Sequence, residues 1–458
     1  MKRQVAEVLA VCCVLLAAFA ALMLPVAVRL SFYDTFPGSI SHYHAQAAEA
    51  LASDSRIDEG TFETRTFSYT PYHYLLSYAS ARIGMKAASF ALPLALGLLA
   101  AVAFFDFSRR LGFSLRRSLL SSALLLVSPA FLHNFTHSDT SALGAVLFIA
   151  ALALSFRKSR LAAVLSFVSL LAMSYLGPFN AALAAFVVIY FAATERRVLP
   201  FALLLAASIP YYLLYYSQHA LSLSGLGIGA LLSDLGGYGL GFFNIMLIVI
   251  GGCILWKDRD DFSSLYLLLI FLAVGSLFAA AGVLYLTFIG AVFSTEAVAW
   301  LSARRWEVEL LKNLTLITIV CGLTFSTVSY LQRNLSSEPS LYLSEALVKL
   351  KPLPEGYVLS SQENGFWIEY LAEKPVLQDP KSHSSKVAAD VETLFSSRNL
   401  PRAKSLLANY SVRYILIDRK MRDTVFSRRE GLVFLLRNNE TFKSVFSNQE
   451  TDVWEVLR

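Results

Sequence analysis

Two carboxylates and three imidazoles fall where this chain can do chemistry: Asp34, Asp139, His44, His73 and His137. An ionised carboxylate can take a proton from a reacting hydroxyl, and imidazoles beside it can hold a phosphate or a metal ion. An Asp–His set suits Mn²⁺ better than Mg²⁺, which prefers oxygen ligands, so a divalent metal shared by Asp34 and Asp139 is one expectation. Each residue also has a purely structural role open to it. Asp139 precedes TSALGAVLF and can cap a helix, Asp34 can be a solvated span end, and His44 and His73 can anchor helices at headgroup level. Glu296, in FSTEAVAW, is an acid predicted inside an apolar span, where a carboxylate is functional unless a neighbouring hydroxyl satisfies it.

The elements that must position these residues are membrane helices. With 56% hydrophobic and 16% charged residues, the 458-residue chain carries more apolar surface than a soluble fold can hide. About 11 apolar spans are predicted, near 8–29, 86–107, 117–133, 140–156, 161–176, 178–194, 198–216, 240–256, 263–279, 281–302 and 310–330. Basic clusters at Lys2–Arg3, Arg109–Arg117, Arg157–Arg160, Arg196–Arg197 and Arg304–Arg305 fall on one face, which the positive-inside rule makes cytoplasmic. A multi-pass cell-membrane protein follows, with a cytoplasmic N-terminus and an extracytoplasmic C-terminus. The net charge of +6 suits anionic lipid headgroups and gives no sign of nucleic acid binding. Cys12, Cys13, Cys253 and Cys321 all lie in apolar spans, so no disulfide framework is expected outside the membrane.

Two outer segments carry structure of their own. The first loop, 30–85, contains SISHYHAQAAEALA and TPYHYLLSYASARIG, each patterned as an amphipathic helix at the interface, the second started by Pro71. The tail, 331–458, alternates strand-prone runs at 357–360, 375–378, 412–418, 442–447 and 452–457 with helical stretches at 363–372, after Ser384 and over 421–437. The expected organisation is a transmembrane domain, 1–330, followed by a small α/β domain, 331–458.

At HYHAQAAEALA, YTPYHYLLSYASARIG, His137-Ser138-Asp139, LSSQENGFWIEYLAEKPVLQDP and LANYSVRYILID, the chain resembles the GT-C superfamily of polytopic glycosyltransferases. Within it the likeness is to oligosaccharyltransferase catalytic subunits and their shorter microbial relatives. The resemblance implies transfer of a sugar from a polyprenyl-phosphate-linked donor to a glycan, lipid or protein acceptor at the outer face. Asp34 and Asp139 would then be catalytic, with Tyr43, His44, His73, His137 and Glu296 binding substrate. Departures are visible. Ser360 to Asn364 replace the family's Trp-Trp-Asp-Tyr, with only Gly365 retained, and Ser39-Ile40-Ser41 replace the acid expected before Tyr43. A non-catalytic scaffold that binds lipid or glycan is the alternative. A transporter is a further one, for which Gly251 and Gly252 would interrupt a span.

Overall fold

Apolar runs become helices here, and prolines and glycines decide where they stop. The computed structural model describes residues 2–33, 35–53, 69–157, 159–195, 203, 232–235, 237–260, 262–335, 337–382, 384–425 and 431–457. Up to residue 335 these form α1 (Lys2–Phe32), α2 (Ser39–Ser53), α3 (Pro71–Ile83), α4 (Met85–Arg110), α5 (Leu115–Leu126), α6 (Pro129–Thr136), α7 (Thr140–Ser155), α8 (Arg160–Ser174), α9 (Pro178–Glu195), α10 (Phe242–Leu255), α11 (Ser263–Gly275), α12 (Ala280–Ala303) and α13 (Glu309–Leu335).

By length and composition, α1, α4, α12 and α13 can each cross a membrane. A fifth span is possible where α5 and α6 meet at 66°. Pro129 explains that bend, because it cannot donate the backbone hydrogen bond that would carry α5 onward. The remaining apolar stretches are shorter helices, α7, α8, α9 and α11 among them, so four helices, or five with the bent pair, have the length and composition of a span among the described residues, against the 11 expected. The stretch 198–216 lies outside them apart from Leu203. Gly251 and Gly252 do not interrupt α10. A Cβ at Gly251 would stand 1.9 Å from the Phe293 carbonyl oxygen, so this glycine lets α10 pack directly on α12. Helix α12 is buried nearly all round, against α10, α5 and α11.

The contact pattern separates two units, Met1–Phe32 with Thr70–Leu75 and Ala87–Leu335, and Tyr33–Tyr69 with Leu76–Lys86 and Ser336–Arg458. Most of the first loop therefore groups with the C-terminal residues, while Thr70–Leu75 belongs to the first unit. In that second unit the chain continues as α14 (Leu341–Leu350), β1 (Tyr357–Leu359), α15 (Gly365–Leu371), α16 (Ser385–Ser396), α17 (Leu400–Asn409), β2 (Val412–Ile417), α18 (Arg419–Thr424), α19 (Gly431–Leu435), β3 (Phe442–Ser447) and β4 (Asp452–Val456). The sheet runs β1-β2-β4-β3, parallel at β1/β2 and antiparallel elsewhere. Alternation along β2 sends Ile415 and Ile417 to a core with α16, α17 and α19, and Tyr414 and Leu416 to one with α14 and α15. Helices thus cover both faces. The run 375–378 makes only an isolated bridge, Val376 to Val358, because Pro375 can accept but not donate in a ladder. In helix α2, Ser41 to Ala45, Ala47, Ala48 and Ala50 are buried in protein, and the helix packs on α15.

Candidate functional site

The bend before Pro129 aims α6 so that its last turn and the link to α7 gather polar side chains in the first unit. His137 Nδ1 donates to the His133 carbonyl at 2.9 Å, and the two rings lie 4.2 Å apart. His133 also stacks on Tyr238, centroids 4.1 Å apart. Thr136 gives its one hydroxyl proton to the Leu132 carbonyl at 2.7 Å, so the Tyr330 hydroxyl, 3.2 Å away, must donate to it. Ser138 and Tyr72, both buried, share a 2.7 Å hydrogen bond.

Asp139 occupies the cap position of α7, yet its carboxylate makes no capping bond to the helix amides. It accepts instead from Ser141 Oγ at 2.7 Å and Thr140 Oγ1 at 3.1 Å. The Ser141 proton also faces Asn134 Oδ1 at 2.8 Å, and an ionised carboxylate is the stronger acceptor. Asp139 thus lies beside the positive end of α7, oriented by hydroxyls rather than spent on the cap.

Arg29, near the end of α1, is fully buried and donates through Nη1 to the carbonyls of Asn334 at 3.3 Å and Leu335 at 3.4 Å. Its charge reaches His137. Burial pushes that imidazole down to about 4; the His133 carbonyl and Asp139 pull it upward, while Arg29 pushes it further down. His137 is therefore neutral at ordinary pH. Sequence reasoning missed Arg29, Tyr72, His133 and Tyr330. Arg29 had a signal, as an arginine at the end of a span opposite to Lys2 and Arg3, against the positive-inside bias.

The other expected residues have partners of their own. His73 is buried in the first turn of α3, where its Nδ1 accepts from the Thr70 backbone N–H at 3.0 Å while its own N–H bonds the Thr70 carbonyl at 2.9 Å. The side-chain half of a capping box is thus made by histidine, in the place usually held by Glu or Gln. Glu296 pairs with Arg117 at 3.0 Å. Arg117 is in the first turn of α5, the far end of the α5–α6 pair from Asp139. In the second unit Tyr43 and His44 are buried, ring against ring, with Tyr43 also against Phe366 and under the Lys381 ammonium, 3.6 Å from the ring centroid. Nearby, burial raises the Glu49 carboxyl, opposed by a hydrogen bond from Tyr370 at 3.2 Å. Asp34 lies outside the described residues. Among those residues no three His, Cys, Asp or Glu side chains gather as metal ligands. With Nδ1 donating to the His133 carbonyl, His137 Nε2 keeps its lone pair, but His137 and Asp139 by themselves fall short of a three-residue ligand set among the described residues.

The sequence matches no protein-family model and no curated protein. Its structure does have relatives. An oligosaccharyltransferase from Archaeoglobus fulgidus, in complex with Zn and sulfate, superposes with a TM-score of 0.67 at 13% identity, over 97% of this chain and 72% of that one. The fold is that of the GT-C glycosyltransferases. The archaeal oligosaccharyltransferase AglB from the same organism, in complex with an inhibitory peptide and a dolichol-phosphate, gives 0.64 at 13% identity over 89% and 70%. ArnT from Cupriavidus metallidurans, bound to undecaprenyl phosphate, gives 0.56 at 13% identity over 98% and 97%. Within this fold Gly365 has a clear task. A Cβ at Gly365 would meet Asp379 Cβ at 2.6 Å and its Cα at 2.7 Å, so only glycine lets α15 start against that turn.

Proposed function

We propose that the chain transfers a sugar from a polyprenyl-phosphate-linked donor to an acceptor at the outer membrane face. The observation that carries the reading is Arg29, a fully buried guanidinium whose charge acts on the turn that holds Asp139, within a GT-C fold. In the reaction the acceptor oxygen forms a bond to the anomeric carbon, and its proton passes to a carboxylate. The bond from that carbon to the phosphate oxygen breaks, and the electron pair stays on phosphate. Arg29 balances the charge that develops there, and Asp139, held by Thr140 and Ser141, orients the donor. Asp34, in the position the resemblance makes catalytic, is the base.

A lipid or glycan acceptor fits better than a peptide. Where oligosaccharyltransferases carry Trp-Trp-Asp-Tyr, Ser360 donates to the Leu416 carbonyl at 2.9 Å and Asn364 donates to Ser360 at 3.0 Å. Those groups are committed to the fold of the second unit.

The test incubates purified protein with labelled polyprenyl-phosphate sugars and follows label leaving the lipid. Asp34→Asn keeps size but cannot take a proton, and should slow transfer by about 10² to 10⁴. Asp139→Asn should weaken donor binding instead. Wild-type transfer by both variants would refute the assignment, and donor binding without transfer by the unmodified protein would favour the non-catalytic scaffold.

A further inference from the structure

Away from the Asp139 turn, the first unit holds a cavity of about 340 Å³ lined by Phe107, Leu152, Phe156, Phe186, Tyr190 and Leu268, with Ser264 at one edge. That volume lies in the range of small-ligand sites, roughly 300–1,000 Å³. The cavity adjoins the C-terminal end of α7, whereas Asp139 stands at its N-terminal end, a helix of 16 residues away, or about 24 Å at 1.5 Å per residue. Distance alone separates it from the chemistry proposed above.

Charge lies at its margin. Asp106 precedes the lining residue Phe107, and Arg157 follows the lining residue Phe156. A single oxygen, Asp106 Oδ2, serves both Arg110 Nε at 2.8 Å and Arg157 Nη2 at 3.5 Å. Two guanidiniums over one carboxylate leave a net positive charge, and the Arg157 side chain remains about half exposed. Ser264 adds a hydroxyl in the first turn of α11, where a helix presents its positive end. Neither arginine lines the cavity, but Arg110 follows its lining residue Phe107 by three positions on α4 and Arg157 follows Phe156 by one, and an aromatic cavity with guanidiniums that near is complementary to an apolar chain joined to a phosphate. Basic pockets between helix ends recognise anionic lipid headgroups in this manner.

We propose that this cavity holds one acyl chain of an anionic phospholipid, with the headgroup phosphate on Arg110 and Arg157. The lipid comes from the bilayer and is not the sugar donor. It would tie α4, α7, α9 and α11 together at the end of the bundle that carries the basic clusters.

The experiment equilibrates the full chain in detergent with mixed phosphatidylglycerol and phosphatidylcholine and counts retained lipid by native mass spectrometry. One phosphatidylglycerol should be kept in preference to phosphatidylcholine by about thirtyfold, the effect of two arginines at a headgroup. Arg110→Gln with Arg157→Gln should remove the preference while leaving lipid bound. Leu152→Trp should fill the cavity and release it, with Leu268→Phe as the second filler should the first fail to fold. Equal retention of both lipids by the unmodified protein would overturn the proposal, as would retention that survives both fillers. Displacement of phosphatidylglycerol by undecaprenyl phosphate would also overturn it, because the cavity would then belong to the donor.

Discussion

In α2, Tyr43 and His44 are each only 4% exposed and lie against one another and against Phe366, whereas in the α6–α7 link His137 and Asp139 are half-buried and wired to hydroxyls and carbonyls. Both segments pair an imidazole with a polar or aromatic neighbour. One uses it for packing and the other for orientation. The difference lies in what surrounds each segment: α2 meets an apolar helix, α15, while the α6–α7 link and the last turn of α6 meet Tyr72, Tyr330 and the charge of Arg29. Side-chain type alone does not distinguish a site from a core. The neighbours that other elements bring up do so.

The contrast can be broken most directly by exchanging outcomes. Asp139→Asn should lower donor use about tenfold or more while leaving the melting temperature near that of the unmodified protein, since one oriented charge-assisted contact is worth roughly 1.5–3 kcal/mol. Tyr43→Ala should do the reverse at the level of folding, with about 3–5 kcal/mol lost from the second unit as a cavity opens beside Phe366. Denaturant unfolding measured alongside donor titration separates them. If Tyr43→Ala left stability intact and abolished donor binding, α2 would be a site and the comparison would fail.

The two regions also differ in pH response. Folded His137 stays neutral down to about 4, against an ordinary value of 6.5. Between those values the unfolded chain binds a proton that the folded chain does not, so stability rises with pH across that window and falls as pH drops through it. Below about 4 both states are protonated and the contribution is gone. His137→Gln should flatten this part of the pH–stability curve, while a variant at His44 tests whether the same slope has another source. An unchanged slope in His137→Gln would remove His137 as its origin.

Strands were the most legible elements. VRYILI, FKSVFS and DVWEV are β-branched and aromatic runs bounded by turn residues, and each became a strand, β2, β3 and β4. Helix α17 was not anticipated, although Asn399 caps it through a bond to the Arg402 N–H and Ala403 and Leu407 give it a buried stripe at four-residue spacing. Helix length was less legible, because hydropathy measures how apolar a stretch is and not whether Pro129 bends it. Within the candidate site, His137 and Asp139 stand out in sequence as polar residues between two apolar runs. Tyr330 and Arg29 cannot be linked to them that way, since their contacts cross nearly 200 residues or more of chain: Thr136 to Tyr330, and Arg29 to Asn334.

The smallest expected effect sharpens the reading of His73, which shares residue type with His137 and none of its setting. Its Nδ1 accepts the Thr70 N–H, and its ring sits against Tyr72, whose hydroxyl bonds Ser138. Removing a cap of this kind costs about 1 kcal/mol. His73→Ala should therefore lower stability by about that amount and, through the start of α3, shift Tyr72 enough to reduce donor affinity slightly. Gln at the same position keeps a side-chain acceptor for the Thr70 N–H, as in the usual capping box. His73→Gln should then restore both stability and donor affinity, read by unfolding and by donor titration on the same preparations. Loss of transfer in His73→Gln with stability restored would show that the imidazole itself touches substrate, and would move His73 from the cap to the site.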